Sequence, residues 1–377
     1  MSRFPLLPLL LSFSTTLQSA CLQDKCALDE FKNNDPVCNQ DMSAPPTDPN
    51  ALQTYILHSP GPKKWIDSIA ILEGSKTIDN IEYSSQIALL LAPRTTSDND
   101  VLIVANIPKS CTNSNCQLTP TEQSLGKTDP TFFNRMIASR NQIRVISSDT
   151  LYSIKWKDIH SPIKSIANFS AKSLASDENG RIYAAILHSP ASGQLPVSVS
   201  YSPVFLMSNL YQNKDVNPKR LLIGDFGNTV DLRLIVWDNL GKFFGIMHQD
   251  DKNLFSFLTK NNMVPDICVV QSMNCNQFPV ALGDLNQDGS SDLVIAKSDG
   301  IKIHYAKVEA ENTSFTEETN YPDALKTATN VQAIAVSIPN GDDPPKLVWA
   351  TSTFVPTTEK SPTGTNTITI NVLSNQP

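Results

Sequence analysis

The sequence predicts an all-β chain, and within that class a β-propeller of six or seven blades. Three observations carry the prediction. Short apolar strands follow one another from about residue 86 to the end, few helical periods interrupt them, and strand–turn–strand units recur about every 52 residues. A propeller blade needs roughly 40–50 residues for its four strands, so this spacing fits one blade per unit. Two packed β-sheets would also show short strands and turns, but not a period sustained over more than 250 residues. The 14 glycines are few for tight blade turns and weigh mildly against a propeller.

The units follow in order. Gln86–Leu91 precedes Val101–Ala105, and Ile143–Ile146 precedes Leu151–Ile154 across Ser147-Ser148-Asp149-Thr150. Ile182–Leu187 precedes Val197–Tyr201, and Leu232–Trp237 precedes Phe243–Met247 across Asp238-Asn239-Leu240-Gly241. Leu293–Ala296 and Ile301–Tyr305 flank Ser298-Asp299-Gly300, and Leu347–Ala350 is followed by Ile368–Leu373. A seventh blade forms if Trp65–Leu72 pairs with the C-terminal strands and closes the ring.

Composition bounds the rest. Of 377 residues, 40% are hydrophobic, enough for a sizeable core and too many for global disorder. Acids outnumber bases 37 to 30, for a formal charge of −7, and no Lys/Arg cluster occurs. A nucleic-acid partner is thereby excluded, since phosphate contacts need concentrated positive charge. The start Met1-Ser2-Arg3 followed by the apolar run Phe4–Phe13 reads as a signal peptide over residues 1–20. That run is too short and too proline-broken to span a bilayer, and no later stretch reaches 18 apolar residues. Two processing routes stay open at the Ala20–Cys21 bond: one acylates Cys21, the other is ordinary cleavage, and Gln18 fits neither well. Residues 21–50, rich in Asp, Asn and Pro, read as a flexible tether, with the propeller over 51–377. The expected location is secreted, periplasmic or cell-surface, touching a membrane only through a lipid on Cys21.

Seven cysteines suit an exported chain. With Cys21 set aside, six fall into local pairs, Cys26/Cys38, Cys111/Cys116 and Cys268/Cys275, expected as disulfide staples by proximity alone. No Cys-x-x-Cys and no nearby His supports a metal reading of them.

One loop carries chemistry. Residues 283–295 read Gly-Asp-Leu-Asn-Gln-Asp-Gly-Ser-Ser-Asp-Leu-Val-Ile. Ca²⁺ takes six to eight hard oxygens in a flexible shell. Alternation along a curled loop points Asp284, Asn286 and Asp288 at one centre, Gly289 permits the bend, the Ser290 carbonyl adds a ligand and Asp292 closes the set. Three carboxylates leave about −1 against a divalent ion, so the loop without metal repels itself. An EF-hand needs Glu at the twelfth position, which is Ile295 inside a strand.

Gly-Asp-Leu-Asn-x-Asp-Gly-x-x-Asp-Leu-Val-Ile-Ala, then Ser-Asp-Gly and a second strand, resembles an FG-GAP/VCBS repeat, the blade unit of integrin-α-like propellers. The resemblance implies calcium at Asp284, Asn286, Asp288, Ser290 and Asp292. Only this loop matches well. Gly224–Leu232 keeps the opening Gly-Asp and closing Asp at shortened spacing, Asp177–Arg181 carries a cation where the closing Asp belongs, and Ser337–Asp343 has drifted further.

Other motifs carry less. Gly126-Lys127-Thr128 lacks the first glycine of a phosphate loop, with Thr121 in its place. The five histidines show no paired metal spacing. His-Ser-Pro at His58, His160 and His188 reads as a strand-ending turn, and His248-Gln249-Asp250-Asp251 as a solvated turn after a strand. Trp237 and Trp349 sit at matching strand positions and are assigned to the core. The functional expectation is an exported, calcium-binding propeller acting as a protein- or glycan-binding adhesion module. No catalytic constellation is legible, so the reading leans away from an enzyme. The alternative is an exported hydrolase or lyase with its site in the propeller channel, which would need acids converging from several blades.

Overall fold

The computed structural model describes residues 52–93, 99–111, 116–126, 135–139, 142–147, 150–155, 164–168, 173–176, 182–187, 197–202, 218–225, 232–238, 243–249, 255–257, 278–309, 312–317, 322–338, 344–358 and 363–374. The described residues are almost wholly β-strand. β1 (Leu52–Pro62) comes first. The first sheet then holds β2 (Lys64–Ile78), β3 (Ile81–Pro93), β4 (Val101–Pro108) and, after the two-residue β5 (Cys116–Gln117), β6 (Thr121–Ser124), in the order β2-β3-β4-β6. The second holds β7 (Met136–Ser139), β8 (Gln142–Ser147), β9 (Thr150–Lys155) and β10 (Lys164–Asn168). The third holds β11 (Ser173–Ser176), β12 (Ile182–Leu187) and β13 (Val197–Ser202). The fourth holds β14 (Pro218–Asp225), β15 (Leu232–Asp238), β16 (Phe243–Gln249) and β17 (Phe255–Phe257). The fifth holds β18 (Val280–Gly283), β19 (Asp292–Lys297), β20 (Gly300–Glu309) and β21 (Asn312–Glu317), and the short helix α1 (Asp323–Lys326) follows it. The last sheet runs β22 (Ala333–Val336), β23 (Lys346–Pro356), β24 (Thr363–Ser374), then β1 and β5.

The first five sheets are antiparallel meanders, the last adds β1 antiparallel to β24 and β5 parallel to β1, and the first strands lie side by side: β2 by β7, β7 by β11, β11 by β14, β14 by β18, β18 by β22 and β22 by β2. This is the layout of a β-propeller. All six expected strand pairs form, with registers such as Leu89↔Ile103, Val145↔Tyr152, Ile186↔Ser198, Ile235↔Ile246, Val294↔Ile303 and Val348↔Val372.

The apolar runs lack a polar alternate because these sheets are covered on both faces. In β3, Ile87, Leu89 and Leu91 pack with Leu57, Val348 and Ile370 of the last sheet. Their neighbours Ala88 and Leu90 pack with Met136, Ile143 and Val145 of the second. A third cluster joins Val294, Ile301 and Ile303 to Leu347 and Trp349, so Trp349 is core, as its position in the sequence implies. Each fully buried Leu or Ile contributes about 1.5–3 kcal/mol.

Three details depart from the sequence reading. Trp65–Leu72 does not pair with the C-terminal strands; it belongs to β2 and pairs with β3. The partner of β24 is β1, in unbroken register from Leu52↔Leu373 to Pro62↔Thr363. The reason is burial: Ile69, Ala70, Ile71 and Leu72 are buried in succession, as a strand between two sheets requires, whereas β1 alternates, burying Tyr55, Leu57 and Ser59. His58-Ser59-Pro60 is accordingly strand and not a turn. Beyond Tyr55 and Ile56, where β5 pairs with it, β1 shows no partner on its second edge among the described residues, a place where proline is tolerated. His248, finally, lies within β16, opposite Arg233 and Ser256. Residues 1–51, which include Cys21, Cys26 and Cys38, lie outside the described residues, as do Cys268, Cys275, His160, His188 and the worn loops at 177–181, 226–231 and 339–343.

Candidate functional site

The loop between β18 and β19 spans residues 284–291. Its curl is built by side chains hydrogen-bonding the backbone just ahead of them, the local chemistry Asp and Asn favour in turns. Asp284 Oδ1 accepts from Asp288 N at 3.0 Å and its Oδ2 from Gly289 N at 2.9 Å. Asn286 Oδ1 accepts from Asp288 N at 3.1 Å, and its Nδ2 donates to Asp288 Oδ2 at 3.0 Å. Asp288 Oδ1 accepts from Ser290 N at 2.8 Å. Gln287 and Gly289 occupy the left-handed region, at φ 60° and 85°, where the chain doubles back. Thus Asp284, Asn286 and Asp288 are brought together on one turn, with Asp288 exposed. Leu285, 2% exposed, fixes the loop to the third apolar cluster.

Asp292 does something different. It is fully buried, its Oδ2 accepts from Leu285 N at 2.9 Å and Asn286 N at 3.4 Å, and its Oδ1 accepts from Ala306 N at 3.0 Å. It therefore ties the start of the loop to β20. Burial pushes its carboxyl up to about 7, with the charge of Asp288 adding to the rise and the amides of Ala306, Leu285 and Asn286 pulling against it. Burial likewise raises Asp284 above the ordinary carboxylate range, with Asp288 adding and the amides of Gly289, Asp288 and Gln287 opposing. Among the described residues no Lys or Arg forms an ion pair with Asp284, Asp288 or Asp292.

Among the described residues no three His, Cys, Asp or Glu side chains converge as a finished metal cage. The oxygens of both Asp284 and Asp292 accept from backbone amides. The donor set of the loop is nonetheless all oxygen, hard and anionic, the chemistry a calcium ion prefers and a soft transition metal does not. Asp284, Asn286 and Asp288 fit such an ion as side-chain ligands, and Ser290 lies at the position expected to offer its carbonyl.

Sequence reasoning missed two features. Gly283 is held by close approach to Val336 of the neighbouring sheet, a long-range contact with no local signal. Elsewhere, Arg135 is buried between Asp67 and Asp100, Nε to Asp67 Oδ2 at 3.2 Å and Nη1 to Asp100 Oδ2 at 2.6 Å. Of the proposed cysteine pairs, Cys111 and Cys116 are disulfide-bonded, with Cα atoms 5.9 Å apart. Among the described residues no helix is long and apolar enough to cross a membrane.

No family model matches the sequence, and no curated protein matches it either. Among solved structures, the chain is similar to a mutant of AofleA from Arthrobotrys oligospora, at 7% identity and TM-score 0.46, over 79% of this chain and 83% of that one. It is similar to the N-terminal domain of Nup159 at 9% identity and TM-score 0.34, over 85% and 96% of the two chains. The Bombyx mori GH32 beta-fructofuranosidase BmSUC1 aligns at 10% identity and TM-score 0.38, over 94% of this chain and 66% of that one. Similarity this distant says nothing of residues or ligands.

Proposed function

We propose that the chain is an exported β-propeller of six blades in a closed ring, stabilised by calcium at the 284–292 loop, and that it works as a protein- or glycan-binding module at the cell surface or outside the cell. The observation that carries the calcium reading is the gathering of Asp284, Asn286 and Asp288 on one turn, with three carboxylates inside nine residues and no ion-paired Lys or Arg among the described residues to offset them. Asp284, Asn286 and Asp288 would hold the ion with the Ser290 carbonyl; Asp292, which the FG-GAP/VCBS resemblance adds to the set, would support the loop from beneath through its bonds to Leu285, Asn286 and Ala306. The ion would supply structural charge compensation to the loop. The six sheets and the cycle of neighbouring first strands support the blade count. Loops from several blades meet at each end of such a ring, which is where a partner is expected.

The test is thermal unfolding of the purified chain with excess Ca²⁺ against EGTA, repeated on Asp288→Ala. Saturation at about 100 times Kd adds about 2.7 kcal/mol, a rise of a few degrees in Tm. The rise should vanish in the variant. An unchanged Tm in both proteins ends the calcium reading.

A further inference from the structure

We propose that the Cys111–Cys116 disulfide is a redox-operated latch on the seam between the first and last sheets. The last sheet holds both ends of the described chain, in β1 and β24, and it meets the first sheet through a shared apolar core with polar contacts beside it. On the inner side, Leu72 bridges Ile338, Lys346 Nζ meets Glu73 Oε2 at 2.9 Å, and Ile66 N donates to Gln332 Oε1 at 2.9 Å. At the β1–β2 corner, Asn366 Oδ1 accepts from Lys64 N at 3.1 Å while its Nδ2 donates to Pro62 O at 3.0 Å.

On the outer side, a strap crosses the seam. After β4 of the first sheet, the chain leaves that sheet and lays β5 parallel to β1 of the last one, Tyr55 opposite Cys116 and Ile56 opposite Gln117. Leu118 N donates to Ile56 O at 3.0 Å, and the Leu118 side chain, 4% exposed, enters the core that both sheets share. The chain then returns to the first sheet as β6, against β4. A two-residue strand makes too few hydrogen bonds to hold a wandering segment by itself. The disulfide joins residues five apart where the strap begins, with Cys116 the first docked residue, and so removes much of the freedom that docking must otherwise overcome. Cys111 and Cys116 are both partly exposed at the edge of the core, within reach of a reductant.

The chemistry is thiol–disulfide exchange. A dithiol gives two electrons and two protons, the Sγ–Sγ bond breaks, Cys111 and Cys116 become thiols, and the dithiol closes to its own disulfide. The strap then loses its constraint, and the edge of β1 at Tyr55 and Ile56 is uncovered. The strap across the seam is thus tight in an oxidising compartment and loosened in a reducing one. Nothing in this inference depends on calcium.

Amide hydrogen exchange on the full chain, before and after dithiothreitol, tests it. Reduction should lower protection at Leu118 by roughly tenfold or more, while Ile370 and Val372 in β24 stay protected. Because dithiothreitol also reaches other cysteines, the Cys111→Ser/Cys116→Ser variant is measured beside it. Its Leu118 should exchange as in the reduced wild type and ignore dithiothreitol. Unchanged protection at Leu118 on reduction overturns the latch, and so does a response to dithiothreitol that persists in the variant. If that variant does not fold, wild type reduced and capped with iodoacetamide gives the same reading: full protection at Leu118 overturns the proposal.

Discussion

Gly283, the last residue of β18, lies so close to Val336 of β22 that a Cβ on it would fall 2.3 Å from Val336 Cγ1 and 2.7 Å from its Cβ. The two strands belong to adjacent sheets, so this glycine sets how near the fifth and last sheets approach. It also stands directly before Asp284, so the spacing of the sheets and the position of the loop share one residue.

Gly283→Ala should therefore cost about 1–3 kcal/mol, the usual range for forcing an extra carbon into a packed interior. Urea denaturation checks it. Val336→Ala opens room for the added methyl, so the double variant should be less destabilised than the sum of the two single changes. Simple additivity would show that the contact at 283 does not limit the approach.

What the sequence disclosed, and what it hid, follows from distance along the chain. Ile143–Ile146 and Leu151–Ile154 are legible as a pair because four turn residues separate two apolar runs. Asp284 to Asp292 is legible because the whole turn lies within nine residues, and Cys111/Cys116 because proximity sufficed. β1 escaped assignment as the partner of β24 because His58-Ser59-Pro60-Gly61-Pro62 has the composition of a turn, and only pairing with residues about 300 positions later makes it strand. The inward turn of Asp292 was also hidden. Its role depends on Ala306 N, 14 residues on in β20.

The Arg135 cluster was invisible for the same reason and should be the costliest site to break. Arg135 is 1% exposed and joins Asp67 of β2 and Asp100, just before β4, to the start of β7. Ser147 Oγ adds a bond to Asp100 Oδ2 at 2.8 Å. Burial works against the guanidinium's charge, but Asp67 and Asp100 outweigh it and hold Arg135 above its ordinary range. Arg135→Met leaves two carboxylates buried without their cation, at a cost of about 3–5 kcal/mol by urea denaturation. Adding Asp100→Asn to that variant should recover part of the loss. If it recovers none, the cluster acts through packing and not charge.

His304 predicts a pH dependence. It is 4% exposed on β20, and neither ring nitrogen has a hydrogen-bond partner. Burial lowers its pKa below the ordinary 6.5; Glu317 opposes the fall, and Lys297 and Lys302 add to it. The unfolded chain therefore takes up a proton near pH 6.5 that the folded protein refuses. The contribution of neutral His304 is fully present above that pH and is lost as pH falls from about 6.5 toward the folded pKa, by at most about 1.4 kcal/mol per unit. Denaturant unfolding at pH 7.5 and 5.5 should show wild type losing more stability than His304→Leu. Equal losses would mean that the carboxylates, common to both proteins, account for the whole effect.

Asp292 and Asp288 should part company when metal is withheld. In EGTA, Asp288→Ala removes an exposed carboxylate that serves only its own turn, through Ser290 N and Asn286 Nδ2, and should cost about 1 kcal/mol or less. Asp292→Ala strips the acceptor from Leu285, Asn286 and Ala306 in a buried place, where an unsatisfied amide costs about 1–3 kcal/mol, so the total should exceed about 2 kcal/mol. Hydrogen exchange at Leu285 and Ala306 should quicken in the Asp292 variant alone. With calcium added the order should narrow, because Asp288→Ala then also forfeits the stabilisation that the ion supplies to wild type. A variant at Asp292 as mild as the one at Asp288, in EGTA, would mean that its three amides find other partners and that the buried carboxylate is not what joins the loop to β20.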